Sequence, residues 1–319
     1  MGIWWRIQGV TWIKMTETNY EKYMVRTPLR EAGRNVKGRS APVMTYMSND
    51  LVEGCDKYID ISWIYGIPEP NPHIIEHIHD YDKIVFFVGS DPFNLEDLGG
   101  EIEYYLGGQP IKLDTTSALY IKKGVKHGPA VWKSFSRPHL EISIILGPEK
   151  NTAGWATDRQ SDKPIPQKTD DLDYEKYAVR KPLILQGTDV TEAMKSPAQI
   201  YMSSDLIPES NIYVDFGWIP GMPGLNPPIP DHSHDYEEVV LLVGNDPKNP
   251  EALGAEIEFC INDQPLLFNT TTAIFAPKSL KHGPLTWKKF EKPHLLMPIV
   301  IGTGSLAEAA PAGYKENPV

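Results

Sequence analysis

The chain contains one unit written twice, and that duplication restricts what it can fold into more than any other feature. Glu76-His77-Ile78-His79-Asp80-Tyr81-Asp82-Lys83 returns 155 positions later as Asp231-His232-Ser233-His234-Asp235-Tyr236-Glu237-Glu238. The same offset relates His127-Gly128-Pro129 to His282-Gly283-Pro284, His139 to His294, Trp63 to Trp218, Asn71 to Asn226 and Trp132 to Trp287. No gap is needed from about Tyr46 to Gly302. Upstream, Tyr20-Glu21-Lys22-Tyr23 returns as Tyr174-Glu175-Lys176-Tyr177 at an offset of 154, so one residue was gained or lost between. A length of 319 residues suits two such units, each near the ordinary domain size of roughly 150 residues. The expected division is an N-terminal extension over 1–19, a first unit over 20–147, a linker over 148–173, a second unit over 174–303 and a tail over 304–319.

Inside a unit the text is that of short strands. Tyr58 to Tyr65 is β-branched and aromatic, Ile84 to Val88 is apolar and stops at Gly89, and Glu101 to Leu106 alternates before the Gly107-Gly108 turn. Strands at intervals of about 8 to 12 residues predict an all-β sandwich or barrel, with helix a minor component. A net charge of -11 opposes binding to nucleic acid or to an anionic membrane. No stretch approaches the 18 or so apolar residues of a membrane span, and Met1 to Lys14 does not read as a signal peptide; Met15 is a second candidate start. Cys55 and Cys260 do not occupy equivalent positions, so neither belongs to a duplicated disulfide or metal framework. A reduced, cytoplasmic setting is the simplest expectation.

Of nine histidines, eight form four equivalent pairs and only His73 has no twin. Side chains alternate along a strand, so His232 and His234 point the same way, and His282 can approach from a neighbouring strand. Three imidazoles and a carboxylate suit a divalent ion such as Mn, Fe or Zn, with positions left for water or substrate. The four tryptophans Trp63, Trp132, Trp218 and Trp287 read as core.

This order of motifs resembles the cupin superfamily, in its tandem bicupin form. The family pattern appears as His232-x-His234, Glu238, Gly244 and Lys278-Ser279-Leu280-Lys281-His282, and in the first copy as His77-x-His79, Gly89 and Lys123-Gly124-Val125-Lys126-His127. The resemblance implies two tandem jelly-roll barrels of the double-stranded β-helix type, with a metal inside each. The departure is the carboxylate: the position equivalent to Glu238 is Lys83. Glu103 and Glu258, on the alternating strands, are the other candidates, Glu103 being preferred to Asp82 and Glu258 weighing equally with Glu238. The expected ligands are thus His77, His79, Glu103 and His127, and His232, His234, Glu238 or Glu258, and His282. Mn is the favoured ion, with Fe or Zn as alternatives.

Lys83 and Glu141, with His139 and Tyr81, are candidate proton-transfer groups of the first barrel. The competing reading is a Lys83–Glu141 ion pair filling a lumen without function. The expected function is metal-dependent hydrolysis of a C–C bond in a small cyclic or β-dicarbonyl substrate, a Mn-dependent cyclohydrolase of a reduced phenolic ring being one version. The alternatives are a non-haem Fe(II) ring-cleaving dioxygenase and a non-catalytic binding protein. Sheet edges and the aromatic N-terminal segment make a homo-oligomer a further expectation.

Overall fold

The computed structural model describes residues 19–33, 35–148, 150–151, 153–155, 166–186 and 188–305. The expected extension up to residue 18, with Met15 and the aromatic segment, the linker from 156 to 165 and the tail from 306 lie outside the described residues. Each unit builds one large sheet and one three-stranded sheet. In the first, Ala178–Val179, Ser117–Ile121, Lys83–Gly89, His139–Ile145, Tyr58–Glu69 and Lys37–Arg39 lie in that order, with Met44–Met47 also paired to Tyr58–Glu69. The smaller sheet orders Gln109–Thr115, Asp97–Leu106 and His127–Phe135. In the second, Met24–Val25, Thr272–Ala276, Glu237–Gly244, His294–Ile301, Ile212–Ile219, Ala198–Met202 and Leu183–Leu185 form the large sheet, and Gln264–Thr270, Ala252–Ile261 and His282–Phe290 the small one. The fold is all-β, as expected. Among the described residues no helix is long and apolar enough to cross a membrane.

The strand text explains which face goes where. Ala252–Ile261 alternates buried and partly exposed positions, as a strand with one side in water must. Lys83–Gly89 is buried throughout, because both its faces are covered. Phe87 meets Tyr104 and Trp132 edge-on inside the barrel, at ring distances of 6.3 and 6.1 Å. Its neighbour Phe86 points the other way and meets Phe216 of the second unit at 6.1 Å. The two large sheets therefore share one apolar core, reaching from Ile84, Phe86 and Val88 to Val239, Leu241 and Val243. The Trp218 indole donates to the Gly89 carbonyl at 3.0 Å across this junction.

The junction is also an exchange. Met24–Val25, at the start of the first unit, pairs with Thr272–Ala276 of the second, and Ala178–Val179 pairs with Ser117–Ile121 of the first. The Tyr-Glu-Lys-Tyr repeats precede these strands as 3₁₀ turns, capped by Asn19 and Asp173.

In each His-Gly-Pro motif the glycine is required by geometry. Gly128 and Gly283 have φ of +84° and +83°, and a Cβ there would stand 2.7 Å from the Ile75 carbonyl oxygen or 2.6 Å from that of Pro230. This close approach lets His77 pair with His127, and His232 with His282, through reciprocal backbone bonds of 2.8 to 2.9 Å. A Gly283→Ala protein is expected to lose about 1–3 kcal/mol of stability through the left-handed backbone and the clash, measurable by urea denaturation. A loss below about 0.5 kcal/mol would contradict this account.

Candidate metal centre

His232 and His234 sit just before the Glu237–Gly244 strand rather than within a regular strand, Glu238 is that strand's second residue, and His282 opens the His282–Phe290 strand. Their ligand atoms lie within 4.8 Å of one another. The Nδ1–H groups donate to backbone carbonyls: His232 to Pro230 at 3.0 Å, His234 to Tyr236 at 2.9 Å and His282 to Leu280 at 2.8 Å. With the proton held on Nδ1, each Nε2 carries a lone pair toward the common centre. Glu238 Oε2 lies 3.1 Å from Nε2 of both His234 and His282. Lone pairs facing a buried carboxylate repel unless a cation stands among them or each ring takes a second proton. This donor set therefore fits a divalent ion.

The electrostatics of the metal-free site show the same demand for positive charge beside Glu238. Burial favours a neutral Glu238, but hydrogen bonds and charge from His234 and His282 outweigh it and hold its pKa at about 2. Burial pulls His282 down, but Glu238 outweighs this and raises its pKa.

The cluster opens onto a cavity of about 100 Å³, walled mainly by apolar side chains such as Met194, Phe259, Leu296 and Val300. Polar side chains also line it, among them Tyr236 and Asp215. The Tyr236 ring stacks on His234 at 3.9 Å and 12°, fixing the imidazole plane. Asp215, on the Ile212–Ile219 strand, accepts a hydrogen bond from Tyr213 Oη at 2.7 Å. Desolvation pushes the Asp215 pKa up to about 7, with the Glu238 charge adding to it and the Tyr213 bond opposing.

The first barrel repeats the histidines and changes their company. His77, His79 and His127 again have ligand atoms within 4.8 Å. Nδ1–H of His77 donates to Ile75 at 2.8 Å and that of His127 to Val125 at 2.9 Å. Nε2 of each is buried without a hydrogen-bond partner among the described residues. Burial, with the Lys83 charge adding to it, pulls His77 down to about 3; burial and the neighbouring His77 hold His127 well below the usual histidine range. Lys83 lies opposite Ile121 and Ile145, and Glu238 lies opposite the equivalent Ala276 and Val300. The two side chains thus start from the same place in the two barrels. Lys83 donates to Asn151 Oδ1 at 2.9 Å, and the Asn151 amide donates to Asp60 at 2.8 Å and Ser143 at 3.3 Å.

Several expected site residues lie elsewhere. Glu103 and Glu258 share a face, but it is the outer one. Glu103 is held by the Tyr105 hydroxyl and Lys133, Glu258 by Lys288, while their neighbours Tyr104 and Phe259 point inward. His139 pairs with Gly89, six residues along the strand from Lys83, roughly 20 Å at the usual rise per residue. Both its ring nitrogens are used: Nε2 accepts from the Trp132 indole at 3.0 Å and Nδ1 donates to Arg137 at 3.3 Å, an arrangement that His294 repeats with Trp287 and Lys292. Tyr81 is 37% exposed and covers Gly147, away from the histidines, although its twin Tyr236 is in the site. Glu141 pairs with Arg39 at 3.1 Å, not with Lys83. Arg39 also contacts His73 and Ser62 and lies over the Trp155 ring at 4.8 Å.

Asp215 and its twin Asp60 were legible and passed over. Asp60-Ile61-Ser62-Trp63 and Asp215-Phe216-Gly217-Trp218 place an aspartate at the same point of an otherwise apolar strand in both copies.

No protein-family model and no curated protein sequence matches the chain. Solved structures do. AerE from Microcystis aeruginosa aligns over 88% of this chain and 99% of its own, with TM-score 0.51 and 14% identity. The formate complex of Lactobacillus farciminis oxalate decarboxylase aligns over 82% of each chain, with TM-score 0.53 and 11% identity. Bacillus subtilis oxalate decarboxylase, described for its Mn(II) centres, aligns over 97% of this chain and 89% of its own, with TM-score 0.52 and 9% identity. At such identities the likeness is one of fold.

Proposed function

We propose that this chain, which has the bicupin fold of two tandem jelly-roll barrels, is a divalent-metal enzyme whose C-terminal barrel is catalytic. The reaction we assign is cleavage of a C–C bond in a small cyclic or β-dicarbonyl compound by water. The supporting observation is the convergence of three Nδ1-anchored histidines and Glu238 on a cavity that also contains Asp215. Mn is the favoured ion, since oxygen and imidazole donors suit it and Mn(II) is named for a decarboxylase of the same fold. Lys83 and Glu141, first expected to transfer protons, are committed to the buried network of the other barrel.

His232, His234, Glu238 and His282 would hold the ion, which when bound supplies a Lewis acid for a carbonyl oxygen and lowers the pKa of a coordinated water. Asp215 takes the proton from the attacking water, because a carboxyl with a pKa near 7 is matched to proton transfer at neutral pH. Tyr213 keeps that carboxyl oriented, and Tyr236 keeps His234 in plane. The apolar wall receives the carbon skeleton and excludes bulk water. Breakage of the C–C bond leaves an electron pair that the second carbonyl of the substrate can accept.

The test is incubation of Mn-loaded and Fe-loaded protein with small cyclic 1,3-diketones, in air and without it. An open-chain keto acid formed equally in both atmospheres is the expected result. Product formed only with matching O₂ uptake would replace this reading by the Fe(II) dioxygenase, which the apolar wall around Leu296 and Met194 also suits. Tight ligand retention with no product under any condition would leave a binding protein.

A further inference from the structure

The two barrels share the histidine geometry and differ in the charge around it. In the first, the described residues Arg39, Asp60, Lys83 and Glu141 are all buried beside the lumen, two of them cations. In the second, Leu296 stands at the position of Glu141, and the buried acids are Asp215 and Glu238. Among the described residues no lysine or arginine lines that cavity. One lumen carries cations beside its histidines; the other has Glu238 among its histidines, a buried negative charge that a divalent ion satisfies.

We infer that Lys83 excludes a divalent ion from the N-terminal barrel, so that the chain carries one ion, in the C-terminal barrel. The inference rests on the metal-centre reading above. Lys83 starts from the same register position as Glu238 and is buried as deeply, at 4% exposure against 8%. A carboxylate offers lone pairs and a negative charge, whereas an ammonium offers neither. Lys83 is held inside by Asn151, which Asp60 and Ser143 hold in turn, and strands cover it on both sides. A divalent ion among His77, His79 and His127 would set two further positive charges beside the buried Lys83 ammonium.

The experiment is Mn(II) saturation of the full-length protein, removal of free ion by gel filtration, and measurement of metal per chain. One equivalent is expected in wild type, unchanged by His127→Ala and lost in His282→Ala. Lys83→Glu gives the first lumen the charge of the second and is expected to raise the content to two, the added ion being lost when His127→Ala is combined with it. Two equivalents in wild type, or loss of the single one on His127→Ala, would overturn the inference while leaving metal binding intact. No ion in any protein, Lys83→Glu included, would overturn the metal-centre reading as well. Should Lys83→Glu fail to fold, as judged by circular dichroism, Lys83→Met removes the same charge at similar volume and is expected to bind a second, weaker Mn(II). A folded Lys83 variant that stays at one equivalent would show that the charge is not what excludes the ion.

Discussion

Asp215→Asn is expected to leave the metal content of the protein unchanged and to lower turnover by about 10²–10⁴-fold, the usual effect of removing a general base. Asn is nearly isosteric, still accepts the Tyr213 hydrogen bond and does not touch the ligand cluster, so folding and ion binding are spared. It cannot take a proton. Wild-type turnover should rise with pH as Asp215 gives up its proton, and Asp215→Asn should remove that rise. Stability supplies a readout independent of any substrate. The folded pKa lies above the unfolded carboxylate value of 3.8, so the folded state binds the extra proton. Stability from this group is therefore complete at pH below the unfolded value and is lost as pH rises to about 7. Relative to Asp215→Asn, the metal-free wild-type protein should therefore lose stability over that window. Asp60, raised to about 6 by burial, has the same sign, whereas buried histidines such as His77 and His127, lowered by burial, have the opposite one, so the difference between the two proteins is the quantity to read. An Asp215→Asn protein that retains metal and more than about a tenth of wild-type turnover would remove Asp215 from the chemistry.

The second large effect concerns stability. Arg39→Met is expected to destabilise the protein by about 3–5 kcal/mol, because it leaves Glu141 as an uncompensated buried charge. Arg39 is only 2% exposed, so the pair is shielded from bulk water. In the second barrel an apolar residue, Leu296, stands at the position of Glu141. Adding Glu141→Leu to Arg39→Met should accordingly recover most of the loss. Urea denaturation of the two single variants and the double variant measures the coupling. A cost below about 1 kcal/mol for Arg39→Met alone would mean that the pair is not held as described.

Much of this molecule was legible because its information is local. Duplication at a constant offset requires two similar units, and short apolar runs ending at Gly89 and Gly244 require strands that turn. The spacing of His232 and His234, with His282 followed by a glycine that must adopt positive φ, was enough to place three imidazoles on one centre. The carboxylate was a different matter. Period-two alternation sorts residues onto two faces without saying which face is the lumen. Glu258 and Glu238 were therefore equivalent candidates until Phe259 was seen to point inward. His139 failed for a related reason: a conserved spacing between copies does not reveal that the residue pairs with the far end of the Lys83–Gly89 strand.

The sequence by itself determined the repeat, the all-β class and the histidine triads, all of which follow from patterns within a few residues or from identity between the halves. Tertiary structure alone decided the exchange of the short initial strands between barrels and the pairing of Glu141 with Arg39. It also decided the contrast between a lumen with two buried cations and one whose described lining has none. Arg39, Asp60, Lys83 and Glu141 are far apart in the chain, and only strand register brings them to one barrel interior, where the low dielectric makes each charge count.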